Sequence, residues 1–115
     1  MKPKDFVNGI YEAVIDENIQ IYKDLFYNTS VEQASDFYWK NALKLFGELS
    51  EEQQKVLFLI IRQVMVDTTS NILGILDGVS GLGGLDNNFH VYSGDSKEIL
   101  NGDLQSFFLE KEENL

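Results

Sequence analysis

The stretch Val56-Leu-Phe-Leu-Ile-Ile-Arg-Gln-Val-Met-Val-Asp-Thr-Thr-Ser-Asn-Ile-Leu73 decides the fold. At about 100° per residue, its apolar side chains, continued by Ile75 and Leu76, cover nearly the whole circumference of a helix. A helix apolar on most sides belongs at the centre of a bundle, with its neighbours wrapped around it. Ser50-Glu-Glu-Gln53 supplies a capping box at its start and Gly78 a terminating residue, which bounds this helix at about 51–77.

Two further helices precede it. Phe6, Ile10, Val14, Ile21 and Leu25 recur at helical spacing after Pro3, a residue suited to a first turn, and predict a helix over about 4–28. Asn28-Thr-Ser30 ends it, and Ser30-Val-Glu-Gln33 reads as a second capping box opening a helix over about 31–48, striped by Val31, Ala34, Phe37, Tyr38, Ala42, Leu45 and Phe46. Downstream, the segment 78–88 holds Gly78, Gly81, Gly83 and Gly84 and reads as an irregular loop. Phe89–Tyr92 and Glu98–Leu100 flank a five-residue turn, which predicts a β-hairpin at about 89–100. Asp103 caps a short final helix over about 103–111, and the acidic end around Glu110–Glu113 reads as solvated. The expected fold is one mainly α domain over residues 1–115: a three-helix core with the third helix central, a small β-hairpin and a short C-terminal helix, with a minor α+β character.

Composition narrows the function. Nine Lys and Arg against nineteen Asp and Glu give a net charge of -10, which repels nucleic acid and anionic lipid and attracts a basic protein. With no cysteine there is no disulfide, thiolate ligand or thiol nucleophile. No signal-peptide core follows the N-terminal lysines, and the uncharged run Val56–Ile61 is far shorter than a membrane span, so the expectation is a cytoplasmic protein. His90 is the single histidine, so a Ser-His-Asp arrangement would have to use it, and no serine stands in a nucleophile-elbow pattern. Asp86-Asn-Asn88 starts like a calcium loop but puts Lys97 where the bidentate Glu belongs. The glycine loop lacks the spacing and the Lys-Ser/Thr ending of a phosphate cradle. The expectation is therefore a non-enzyme without cofactor or metal.

Three candidate surfaces remain. Gln63, Asp67 and Asn71 form an i, i+4, i+8 ridge on the border of the apolar arc, suited to a small ligand or partner, with the glycine loop as lid. Within the same stretch Thr68 is expected inside the arc, bonded to the carbonyl four residues back, with Thr69 and Ser70 on the outer side. Asp67, if partly buried, needs donors, for which Trp39, Tyr38 and Arg62 are in position. Leu104, Phe107 and Phe108 are anchors at i, i+3 and i+4 that either pack on the chain's own bundle or, if exposed, mark a target or homodimer surface. Charge and the absence of motifs favour a non-enzymatic protein-binding domain, in its concrete form an inhibitor of immunity or antitoxin type that neutralises a basic protein. The alternatives are a ligand-binding regulatory domain using the ridge, or a homo-oligomeric structural subunit.

Overall fold

The computed structural model describes residues 1–114. Its order is α1 (Pro3–Ile10), a π-helical turn (Tyr11–Asp16), α2 (Glu17–Asn28), a 3₁₀ turn (Val31–Gln33), α3 (Phe37–Glu48), α4 (Glu51–Leu76) and α5 (Leu104–Glu113). The first three run on without a break, so the predicted first helix is present with a wide turn in its middle. Residues four apart drift by about 40° per step around an α-helix. The looser i→i+5 winding at Tyr11–Asp16 offsets that drift and keeps Val7, Tyr11 and Ile15 all buried on one side.

The second helix begins six residues later than its sequence predicts. Ser30 N–H does donate to Gln33 Oε1 at 2.8 Å, but the box closes only a 3₁₀ turn. The operative cap is Asp36, whose carboxylate accepts from Tyr38 N–H at 2.7 Å. At Ser50 the capping box holds as read: Gln53 N–H donates to Ser50 Oγ at 3.2 Å, and Ser50 N–H donates to Gln53 Oε1 at 2.9 Å.

α4 is the spine, about 39 Å long at about 1.5 Å per residue, but the other helices do not wrap it. They cover one face. At its C-terminal half, Val66 and Leu73 join Val7, Tyr11, Ile15, Leu104 and Phe108 in an aliphatic core, with Tyr11 and Phe108 ring centroids 5.6 Å apart. At its N-terminal half, Phe58 meets Phe26, Tyr27 and Phe46 in an aromatic cluster that continues to Tyr22 and Trp39. Two cores strung along one helix give an elongated body of 51 × 32 × 25 Å. Its radius of gyration is 17.7 Å, against roughly 13 Å for a compact chain of this size.

The predicted hairpin at 89–100 does not form, and the described residues contain no sheet, only an isolated bridge between Leu82 and Leu85. Leu100 N–H donates to Val91 O at 2.8 Å, but Val91 N–H goes to the Asn101 side chain at 2.8 Å instead of to a strand. Asn101 Nδ2–H also donates to Leu76 O and Phe89 O, each at 2.7 Å. Asn87 Nδ2–H donates to Ser80 O at 2.6 Å and to Ile75 O at 3.3 Å. These two asparagines bond carbonyls at the end of α4 and in the segment after it, so side-chain amides replace a ladder in holding the long connection. Gly78, with φ +79°, turns the chain out of the helix as expected.

α5 lands on α4 through polar contacts as well as packing. Both oxygens of Asp77 accept α5-entry backbone donors, Gly102 N–H at 2.6 Å and Gln105 N–H at 2.8 Å. Asp77, not the expected Asp103, supplies the cap. Gln105 Nε2–H reaches Ser70 O at 3.0 Å, across Gly74, where an added Cβ would lie 2.7 Å from that amide nitrogen.

Replacing Asn101 by Ala removes three of these bonds. Chemical denaturation should show a loss of about 1–3 kcal/mol, with hydrogen exchange accelerated in 88–103 before α1 is affected.

Candidate functional site

The chain's single arginine, Arg62, ties three elements together. It stands on the flank of α4 and forks onto Glu112 of α5, with Nη1 to Oε1 at 2.6 Å and Nη2 to Oε2 at 2.9 Å. Nη2 also donates to the Tyr11 hydroxyl at 2.6 Å, and that hydroxyl donates to Glu112 Oε2 at 2.5 Å. Planar guanidinium and carboxylate match as a two-point pair, and the phenol closes the triangle from the π turn. The Lys111 ammonium lies 5.2 Å from the centre of the Tyr11 ring.

The triangle shifts the protonation of its members. The bond to Arg62 holds the Glu112 carboxyl below the usual carboxylate range, and the bond to Glu112 pushes the Arg62 guanidinium up. Burial, followed by the bond to Glu112, pushes the Tyr11 phenol up to about 12. A closed triangle of this kind is a clamp. With Tyr11 held in its neutral form and both charges paired, it presents no free base or nucleophile.

Glu112 therefore does not belong to a solvated acidic end; α5 runs through it to Glu113. Leu104 and Phe108 are fully buried in the chain's own core, and Phe107 is half-buried under the Lys4 ammonium, 5.2 Å from its ring centre. Leu104 and Phe108 are therefore internal packing residues, and Phe107 packs at the edge of the same core.

The polar stretch of α4 is also placed differently from its sequence expectation. Thr69 and Ser70 are the buried pair, while Thr68 is exposed. Thr69, not Thr68, bonds back to the carbonyl four residues earlier, Met65 O, at 2.7 Å. The buried face lies one residue further along than the full apolar arc indicates, because that arc takes in residues on both faces of a helix of which only one face is covered. Gln63, Asp67 and Asn71 do form a ridge, and Gln63 Nε2–H donates to Asp67 Oδ1 at 2.9 Å, but all three project to solvent. Asp67 has its partner within the ridge and does not reach Trp39, Tyr38 or Arg62.

Next to that ridge lies the feature the sequence hid. Exposed positions on α4 come in pairs every four residues: Lys55 and Val56, Leu59 and Ile60, Gln63 and Val64, Asp67 and Thr68, Asn71 and Ile72. Val56, Leu59, Ile60, Val64 and Ile72 are each more than half exposed, Leu59 at 65%. Monomeric proteins seldom leave so continuous an apolar run in water. α4 is also long and apolar enough to cross a membrane, with a mean hydropathy of 1.4 over its most apolar 18 residues, 28% of which are buried within the protein. Around the stripe, Glu51, Glu52 and Asp67 outnumber Lys55, which lies 3.8 Å from Glu52.

No protein-family model, curated protein or solved structure matches the chain.

The clamp makes stability depend on pH at both ends. Glu112 has a lowered folded pKa, so its contribution is complete above the ordinary carboxylate range and is lost as pH falls below it. Tyr11 has a raised pKa, so its contribution is complete below pH 10 and is lost as pH climbs towards about 12. Phenolate absorbance should show one of the five tyrosines ionising near the upper value. Glu112→Gln should cost about 1–3 kcal/mol at neutral pH and flatten the acid limb of the melting-temperature profile.

Proposed function

We propose that this chain is a non-enzymatic protein-binding domain that uses the outward face of α4 to hold a basic partner. The observation that carries the proposal is the exposed run Val56, Leu59, Ile60 and Val64 on a helix whose opposite face, through Phe58, Val66 and Leu73, joins both cores. Covering four half-exposed aliphatic side chains contributes roughly 1 kcal/mol each, a useful part of the free energy a specific complex requires.

Side chains four apart form ridges, and such ridges fit the grooves of another helix at a crossing angle of roughly −50°. The partner surface is therefore best supplied by a helix with an apolar stripe. Its charge follows from the flanks. Acids predominate beside the stripe, and the whole chain carries -10. A second copy would bring the same excess of negative charge to the contact, whereas a basic protein would be drawn in and oriented by it. Glu12, Asp16, Glu17 and Asp24, exposed along the first helical run, add to that field from another side. Occlusion of a cationic site on the partner, in the manner of immunity and antitoxin proteins, is the concrete form of this function, and a cytoplasmic setting belongs to the same proposal.

The test starts with capture from the native host at low and high salt, followed by reconstitution from purified components. A single protein of high pI should bind directly, with affinity falling as salt rises. Ile60→Asp and Val64→Asp should each weaken it by about 30-fold or more, the scale of an interface hot spot, without changing the circular dichroism of the free chain. A purified chain that is already a stable dimer, and that loses the dimer with these substitutions, would overturn the basic-partner assignment in favour of self-assembly.

A further inference from the structure

Beside the partner face, α2 and α4 enclose a groove of about 410 Å³ whose chemistry differs from the rest of the surface. Its floor and walls are apolar: Ile19 and Tyr27 from α2, Phe58 and Leu59 from α4. Yet three of the nine basic residues in this acidic chain, Lys23, Lys55 and Arg62, stand around it. Arg62 is satisfied by Glu112 and Tyr11. Lys23 has no carboxylate within 4.0 Å among the described residues, and its ammonium lies 5.9 Å from the centre of the Phe58 ring. Lys55 has only the exposed contact with Glu52 at 3.8 Å, with side chains 70% and 87% exposed, a pairing too solvated to hold it.

Two ammonium groups without a buried partner, one of them 5.9 Å from an aromatic ring, stand at the rim of an apolar groove and make a specific pattern. Solubility does not call for cations gathered at an apolar groove in a chain that carries twice as many acids as bases. The groove falls within the size range of small-molecule sites, roughly 300–1,000 Å³, which combine an apolar lining with a few placed polar groups. We propose that this groove binds an amphipathic carboxylate: a flat or chain-like apolar body lying on the exposed Tyr27 and Leu59, above the buried Phe58, with its single carboxylate held between Lys23 and Lys55. A phosphate-rich ligand would leave the apolar lining uncovered, and a neutral hydrophobe would leave both ammonium groups unused. The site does not depend on the partner described above, although a ligand seated there would cover Leu59 and neutralise Lys55 at the edge of the same α4 face.

The probe is 2-naphthoate, with uncharged 2-naphthamide as its control, titrated into the full chain and followed by backbone amide shifts. Saturable shifts confined to the segments around Lys23, Lys55 and Phe58 are expected, with the amide binding at least about tenfold more weakly and the carboxylate losing affinity as salt rises. The double variant Lys23→Gln/Lys55→Gln, whose two exchanged side chains form no buried bond, should keep the native amide pattern and lose about tenfold or more in affinity for naphthoate. Equal affinity for acid and amide would overturn the proposal, as would shifts spread along Val64 and Ile72, which would mark general hydrophobic adsorption. An absence of saturable shifts at millimolar probe would overturn it as well.

Discussion

The forked contact between Arg62 and Glu112, closed by the Tyr11 hydroxyl, is what the rest of the structure depends on. It joins the π turn, the spine helix and the last helix at one point, and on either side of it the chain makes different cores. Towards the C-terminal end of α4, side chains interdigitate until Ile15, Leu104 and Phe108 show no exposure at all. Towards the N-terminal end, Tyr22, Phe26, Tyr27, Trp39, Phe46 and Phe58 meet ring to ring, burying Phe46 and Phe58 and leaving Tyr27 largely in water. A buried or half-buried ion pair contributes little net stability by comparison with apolar packing, but removing one member strands the other. The clamp therefore fixes where α5 lies more than how tightly it is held.

That placement of α5 determines which surfaces are left over. With the π turn and α5 packed on one side of α4 and the aromatic cluster on the same side further along, none of the described residues covers the outward face. Apolar area on that face then has to meet another molecule or remain wet. The groove between α2 and α4 arises from the same arrangement, because the aromatic half packs through ring contacts that bury Phe58 and leave Tyr27 and Leu59 exposed. An aromatic end that leaves Tyr27 in water and an exposed spine are two results of one economy of packing: 115 residues are spread over 51 Å.

Much of this was legible in the residues. Capping at Ser50 and Gly78 bounded α4 to within a residue, and the helical spacing after Pro3 bounded the first run. Three things were not. Hydrophobicity all round α4 pointed to a central, wrapped helix, because Val56, Leu59, Ile60 and Val64, which stay exposed, are as apolar as Phe58, Val66 and Leu73, which the chain buries. Alternation around Val91 suggested a strand, but the nearby Asn101 offered its side chain to the same donor and removed the ladder. The clamp joins residues 51 and 101 positions apart, and no local pattern reports that. Its one visible signal was a lone arginine in the apolar part of a helix, where an unpaired charge would be costly.

The central claim is that the outward face of α4 is a contact surface for a basic protein. Its most direct measurement is site-specific photocrosslinking in the native host, with a photoreactive side chain at Val64 on that face and, for comparison, at Glu12 on the first helical run. The account predicts one discrete adduct from position 64 to a protein of high pI, and much less of it from position 12. No adduct from position 64, or an adduct only to the chain itself, would contradict it.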